Sequence, residues 1–282
     1  MINITPPEFD NFSKYIRKIS GISLDKGKEY LIETRLNPLM EENQCKNYNE
    51  LLQASIRDKS IEKKVVDAIS TNETYFFRDN SPFELLQHKI IPDLIDLKTK
   101  SSNLNIKSPV RIRHWSAANS TGQEIYSIAM TFKELYLDPV KYNIQLLGTD
   151  ISDAAIAQAS YGKYNKFEVA RGLPEAKLKK YFNPDGDYWR IKDEIRSMAM
   201  FRKMNLMEPF TGMGKFDIIF CRNVAIYFTP EFRKELYKKI AGCLEPNGYL
   251  IIGSTESLVN DTDLFEPKKY LKSVFYQLKS RK

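Results

Sequence analysis

From Val110 onward the chain alternates short apolar runs with stretches of helical period, and few folds can be built from that grammar. Val110–Trp115, Tyr142–Gly148, Phe216–Cys221, Tyr249–Gly253 and Ser273–Leu278 read as strands, with Gln123–Leu135, Ser152–Ser160 and Pro230–Cys243 as helices between them. Strands separated by helices of this length imply right-handed crossovers, hence a mostly parallel sheet covered on both faces. A small antiparallel excursion is expected from Tyr188–Ile191 and Met198–Met204, giving a β subdomain near 181–204.

The first 90 residues follow a different pattern. Pro6-Pro7-Glu8 opens a segment with Phe9, Phe12, Ile16 and Ile19 at roughly helical spacing, stopped by Gly21. A second helix begins after Ser23 or Asp25 and presents Leu31, Ile32, Leu36 and Leu39; Tyr48–Ile56 and Ile61–Ile69 are two shorter ones. Short helices joined this way bury their apolar stripes only against one another, so a small bundle is predicted. Lys98–Ser108, rich in Lys, Ser and Asn, reads as a loop. The expected division is an all-helical domain with its connecting segment over residues 1–90, then an α/β sheet domain over 91–282.

Composition excludes little but steers the reading. Cys45, Cys221 and Cys243 stand at unrelated spacings, which argues against a disulfide framework or a metal-binding pair. The start does not read as a secretory signal, and no apolar stretch is long enough to span a bilayer. The net charge of +7 is uneven: 12 basic against 13 acidic residues over 1–80, 11 against 6 over 161–204, and 6 against none over 268–282. Such excess could steer an acidic protein or a nucleic acid, or simply solubilise the surface.

In an open parallel sheet the ligand sits beyond the carboxyl ends of the strands. The first such end is Trp115-Ser-Ala-Ala-Asn-Ser-Thr-Gly122-Gln-Glu124, with a single glycine. A dinucleotide fingerprint needs three glycines, so a pyrophosphate cofactor is poorly supported; an ordinary strand-to-helix turn is the alternative. The second strand ends in Gly148-Thr-Asp150-Ile-Ser152. A carboxylate there can accept hydrogen bonds from both hydroxyls of a ribose, or instead prepare the next helix, although Ser152 is the better cap. Together these ends suit an adenosine ligand without pyrophosphate, of which S-adenosylmethionine is the common case.

At this point the sequence resembles the CheR family of chemotaxis receptor glutamate methyltransferases. The resemblance runs from about Phe9 to Tyr276 and rests on Thr71-Asn-Glu-Thr-Tyr-Phe-Phe-Arg78-Asp79, on the first turn through Ser127, and on Gly148–Ser152. Asn205-Leu206, Phe216-Asp-Ile-Ile-Phe-Cys-Arg-Asn-Val-Ala-Ile-Tyr-Phe228 and Leu244-Glu-Pro-Asn-Gly-Tyr-Leu complete it. It implies a helical domain that engages a receptor and a Rossmann-like domain that holds S-adenosylmethionine. By the same resemblance Asn72, Thr74 and Arg78 would close over the donor. Ala117 and Glu124 would hold it at the first turn, Glu124 touching its amino-acid portion, and Asp150 would take its ribose. Asn205 and Leu206 would flank the adenine. Arg222, Asn223 and Tyr227 would line the transfer channel, Arg222 and Asn223 also touching the donor, with Arg78, Arg222 and Tyr227 as the catalytic set. Without the resemblance, Tyr227 reads as a core aromatic and the two arginines as surface ion-pair partners.

Two departures from the family pattern matter. Members usually carry Ala-Gly-Cys-Ser-x-Gly-Glu-Glu at the first turn, where this chain has Ala118 for the glycine and Gln123 for the first glutamate. Alanine adopts a left-handed backbone less readily than glycine, and an amide attracts a cationic donor less than a carboxylate does. The Asn183-Pro-Asp-Gly-Asp-Tyr188 connection is also shorter than the corresponding loop of relatives that grip a receptor tether peptide, so the chain is expected to be tether-independent.

The implied reaction needs no general base, because glutamate is already ionised near neutral pH. His88 and His114, the only histidines, are therefore expected to be structural or surface residues. The expected partner is the cytoplasmic helical domain of methyl-accepting chemoreceptors, met by a cytoplasmic monomer recruited to membrane-associated receptor arrays. No metal, nucleic acid or membrane insertion is expected. Two alternatives stay open: a nucleic-acid methyltransferase, given the basic excess, and a non-catalytic donor-binding module, given the altered first turn.

Overall fold

The computed structural model describes residues 2–101 and 109–280. Four helices, α1 (Pro6–Ser20), α2 (Glu29–Glu42), α3 (Tyr48–Arg57) and α4 (Lys59–Ile69), form the N-terminal bundle. Pro6 and Pro7 occupy the first turn of α1, where amides have no helical partner, and Gly21 ends it at φ 79°. The Glu8 carboxylate accepts the Thr5 amide at 2.9 Å and, through its other oxygen, the Tyr48 amide at 3.0 Å, which ties the start of α1 to that of α3. Phe9, Phe12 and Ile16 pack with Ile32, Leu36, Tyr48 and Val65 in a core of their own.

The connecting stretch holds α5 (Ser81–Leu85), a π-helical turn (Leu86–Ile90) and α6 (Ile91–Ser101). The loop expected at Lys98–Ser108 thus begins later, because α6 continues to Ser101; residues 102–108 lie outside the described residues. Then follow β1 (Val110–Ala117), α7 (Gln123–Glu134), β2 (Tyr142–Asp150), α8 (Asp153–Tyr161), β3 (Lys163–Asn165), α9 (Lys166–Ala170) and α10 (Glu175–Tyr181). Next come β4 (Phe182–Asp185), β5 (Tyr188–Ile191), α11 (Asp193–Arg196), β6 (Ala199–Lys203) and β7 (Phe216–Cys221). A 3-10 turn (Ala225–Tyr227), α12 (Pro230–Cys243), β8 (Leu244–Ile252), β9 (Phe265–Tyr270) and β10 (Ser273–Leu278) complete the chain.

The large sheet has the order β6-β2-β1-β7-β8-β10-β9. Neighbours from β6 to β8 are parallel, and β10 runs antiparallel to both β8 and β9. One apolar layer joins α5, α6 and α7 to the sheet, and another joins α12 to its opposite face. Every residue of β7 is buried, as a central strand covered on both sides requires. The order turns back on itself between β1 and β7, so a crevice opens beyond their carboxyl ends.

The small antiparallel sheet is made of β3, β5 and β4. Met198–Met204 does not join it, contrary to the sequence expectation: Ala199–Lys203 is β6, parallel to β2 at the edge of the large sheet. A short half-exposed strand carries the same alternation in either setting, so its pairing cannot be read locally. Asp185 pairs with Tyr188 across a two-residue turn at Gly186 and Asp187, with Gly186 at φ 62°, so the β4–β5 connection is as tight as its length suggested.

The bundle lies against the crevice. Ile22 forms an antiparallel bridge with Phe228, the Ser23 amide donates to the Tyr227 carbonyl at 2.8 Å, and Ser152 Oγ donates to Asp67 of α4 at 2.7 Å. Among the described residues no helix is long and apolar enough to cross a membrane.

His114 sits inside β1, fully buried against Phe220, with both ring nitrogens unpartnered among the described residues. Burial alone pushes its pKa down to about 3 from an ordinary 6.5, so the folded protein keeps it neutral. The unfolded chain protonates there first, hence stability is complete above about pH 6.5 and falls as pH drops toward 3, by about 1.4 kcal/mol per unit. His114→Leu is expected to flatten that part of the profile; thermal melts of variant and wild type at pH 7 and pH 5 should differ in slope, and parallel slopes would refute the assignment.

Candidate functional site

A cleft occupies the crevice, walled by the turn after β1, the ends of β2 and β7, the 204–206 segment, the 70–78 strap and the end of α1. Asn72, Thr74, Arg78, Glu124, Asp150, Asn205, Leu206, Arg222, Asn223 and Tyr227 all line it. These residues span 155 positions of sequence and meet because each sits at a strand end or on a segment folded over one. Ala117 is the exception. Its side chain is buried in the apolar layer below, and Ala118 stands in the wall instead. Ala117 is the last residue of β1, whereas Ala118 opens the turn in a left-handed conformation.

Asp150 ends β2 with one oxygen accepting the Ser120 amide at 2.8 Å and the other accepting the Ser152 amide at 3.0 Å. Burial pushes its carboxyl pKa up, against the opposing pull of these amides. Met204 donates its amide to the Asp150 carbonyl at 2.7 Å, which places Asn205 and Leu206 beside it. Asn205 is held in turn, donating to the Ile19 carbonyl at 2.8 Å and accepting the Met207 amide at 3.0 Å.

The strongest charge constellation surrounds Arg222, just after β7, whose side chain is 1% exposed. Its guanidinium donates to Glu124 and Asp79, each at 2.9 Å, and to the Arg78 carbonyl at 2.9 Å. Ser116 completes the cluster by donating to Glu124. One buried cation therefore ties the first turn, the strap and the end of β7 together. Arg78 itself is directed elsewhere: it donates to the Glu73 carbonyl at 2.6 Å and lies over Tyr75, leaving its charge at the cleft's exposed side.

The cleft is edged by backbone that ordinary residues avoid. In its wall Ala118, Ser120 and Asn223 have φ between 52° and 58°. At Ala118 and Ser120 this costs about 1–2 kcal/mol, asparagine bearing it more easily, and such geometry persists there because the surroundings enforce it. The left-handed conformation at Ala118 (φ 58°) is thus kept, without the glycine that would adopt it more cheaply. Gln123 behaves otherwise than anticipated. It is buried, accepts the Thr121 hydroxyl at 2.7 Å and is absent from the cleft wall, so the missing carboxylate does not face a ligand.

The donor set fits a sulfonium nucleoside. A carboxylate for a vicinal diol, apolar Ile151, Met204 and Leu206 for a flat base, Glu124 for an ammonium group and Arg78 for a carboxylate line one cavity. Three contributors escaped sequence reasoning. Asp79 was inside a quoted motif but gave no hint of its ion pair, Ser120 acts through its backbone, and Glu256 follows β8. The strand-end rule that singled out Asp150 would have found Glu256 too.

Comparison with known proteins agrees with this geometry. Residues 7–70 match the family described as "CheR methyltransferase, all-alpha domain", and residues 72–274 match "CheR methyltransferase, SAM binding domain". Chemotaxis protein methyltransferase Cher2 of Pseudomonas putida is 39% identical, covering 96% of this chain and 98% of its own. Chemotaxis protein methyltransferase 1 of Pseudomonas aeruginosa is 37% identical over 96% of this chain and 98% of its own. The chemotaxis protein methyltransferase of Borreliella burgdorferi is 37% identical over 93% and 92%.

Proposed function

This chain belongs to the CheR methyltransferase family, and from that premise we propose that it methylates glutamate side chains of chemoreceptors, using S-adenosylmethionine, through the cleft described above. It is a protein-glutamate O-methyltransferase of chemotaxis. The observation that carries the reading is the meeting of Asp150, Glu124 and Arg222 at the carboxyl ends of adjacent strands in one cleft.

When bound, S-adenosylmethionine supplies an electrophilic methyl group on a sulfonium. Asp150 receives the ribose hydroxyls, Asn205 and Leu206 flank the adenine, and Glu124 faces the ammonium. Asn72, Thr74 and Arg78 cover the site from the strap, while Asn223 and Tyr227 edge the path of the acceptor. Held there, the donor would offer its methyl carbon to the acceptor carboxylate, whose oxygen would gain the methyl while the C–S electron pair went to sulfur, so that both charges would be lost. A strong cation clamped on that carboxylate would stabilise the ground state more than the transition state. Arg222 avoids this, since two carboxylates already neutralise it. Its role is to organise the site, and alignment with exclusion of water supplies the rate.

The acceptor is the cytoplasmic helical domain of a methyl-accepting receptor, engaged by the helical domain at 1–90 while residues 91–282 carry the chemistry. The two-residue β4–β5 turn supports tether-independent recognition. We place the protein in the cytoplasm as a monomer recruited to receptor arrays. The test is to incubate it with labelled donor and a receptor cytoplasmic fragment. Base-labile label that disappears when the acceptor glutamates become alanine supports the reading, whereas label in nucleic acid would reject it.

Tyr227→Phe separates binding from turnover. Removing one neutral hydrogen bond to the acceptor is expected to lower kcat about tenfold and leave donor affinity within about threefold. Calorimetry and initial rates showing the reverse pattern would reassign Tyr227 to donor binding.

A further inference from the structure

The carboxylate of Glu256, on the loop after β8, reaches across to the neighbouring strand end. Its Oε2 accepts the Asn223 amide at 2.8 Å and the Gly253 amide at 2.6 Å. Parallel neighbours β7 and β8 end here, at Cys221 and Ile252, so one side chain laces together the two segments that leave them. The segment after β7 carries Arg222, Asn223 and the 3-10 turn ending in Tyr227.

Two details show that the lacing is built into the backbone. Asn223 stands at φ 56°, a left-handed turn conformation that asparagine adopts more readily than most residues, and its amide is the one that Glu256 holds. Gly253 has no side chain, and a Cβ there would stand 2.5 Å from Glu256 Oε2 and 2.8 Å from Asn223 Nδ2. Any other residue would push the carboxylate off both amides. The remaining oxygen, Oε1, is buried without a hydrogen-bond partner among the described residues, so charge at that position contributes no bond that an amide would lose. The acceptor function of Oε2 is what the site uses.

We propose that Glu256 is a positioning residue for methyl transfer: by holding the amides of Asn223 and Gly253 it fixes the start of the segment that presents Tyr227 to the acceptor. The proposal rests on the functional reading above and adds to it the element that sets the geometry of the acceptor path. Glu256 does not line the cleft and touches neither donor nor acceptor. Asp150, Glu124 and Asn205 hold the donor from other segments, and Arg222, which orients Glu124, is anchored separately by Glu124, Asp79 and the Arg78 carbonyl, so donor affinity depends little on the lacing.

The test compares Glu256→Ala and Glu256→Gln in the full chain. Donor affinity is read by calorimetry, kcat and KM with a receptor cytoplasmic fragment, and amide hydrogen exchange over residues 222–228. Glu256→Ala removes hydrogen bonds to a charged acceptor and is expected to lower kcat about 10- to 100-fold. Donor affinity should stay within about threefold, and exchange over 222–228 should accelerate. Glu256→Gln keeps a carbonyl oxygen for the amides and should recover most of the rate and the protection. Unchanged kcat in the alanine variant overturns the proposal, and so does a loss that glutamine fails to rescue. Donor affinity falling in step with kcat overturns it as well, since Glu256 would then serve the donor site. Failure of the wild type to methylate the fragment would instead strike the functional reading, because exchange over 222–228 still reports on the lacing without turnover.

Discussion

Replacing Arg222 by alanine is expected to lower unfolding free energy by about 3–5 kcal/mol and to abolish measurable donor binding. The side chain is 1% exposed and holds Glu124 and Asp79, which are themselves only 13% and 26% exposed. Removing the cation leaves two partly buried carboxylates facing each other, and the cost is chiefly that of charge left uncompensated rather than the worth of the bonds. Glu124 would lose the partner that orients it, and the strap would lose its anchor at Asp79 and at the Arg78 carbonyl. Arg222→Lys should fall between, because an ammonium cannot reach three acceptors from one planar fork. Urea titration gives the stability and calorimetry gives the binding.

A compensated variant separates the two effects. Arg222→Met combined with Glu124→Gln and Asp79→Asn removes the cation and both anions, and should regain most of the stability while binding stays lost. If binding returned along with stability, the network would be a prop for the fold and Arg222 would have no organising role at the cleft.

How much of this could be read from the chain itself depended on whether the relevant signal was local. The parallel sheet was legible because alternation of strand and helical period is a local property, and β10 was read with the same bounds the structure gives it. The place of Asp150 at the cleft was legible because ligands gather at strand ends, a rule of topology that needs no coordinates, whereas Glu124 was singled out only through the family resemblance. β6 was misplaced because its partner, β2, lies some fifty residues earlier and nothing in a five-residue alternation names it. β9, with Pro267, Lys268 and Lys269 in its middle, lacks the apolar alternation altogether and survives as an edge strand, where a proline's missing donor and exposed lysines do no harm. The ion pair from Asp79 to Arg222 joins residues 143 apart through a left-handed turn, so neither charge pattern nor period could announce it. Ala117 and Ala118 show the limit at its finest: adjacent alanines in a family motif, of which one ends the strand in the core and the other opens the turn at the cleft wall.

Asp150→Ala is expected to weaken donor binding at least 100-fold, and the reason lies in how the carboxylate is already engaged. Each oxygen accepts one backbone amide, from Ser120 and from Ser152, and keeps a second lone pair for a ribose hydroxyl. Hydrogen bonds to a charged acceptor contribute about 1.5–3 kcal/mol apiece, so losing two toward the ligand gives that scale before the turn is considered. The turn suffers too, because Ser120 is held at φ 52° by the amide it donates. Asp150→Asn makes a sharper probe: it preserves shape but sets an NH2 group against one of the two amides, so about a tenfold to 100-fold loss is expected from the opposed donors. Burial raises the carboxyl pKa, and only the ionised form offers all four acceptor sites. Donor affinity should therefore fall as pH drops, beginning at a higher pH than an exposed aspartate would show, with the loss absent from Asp150→Ala because the titrating group is gone. Calorimetric titrations of S-adenosylhomocysteine between pH 8 and pH 5 would show this, and equal pH dependence in wild type and Asp150→Ala would remove the carboxylate from the ligand's path.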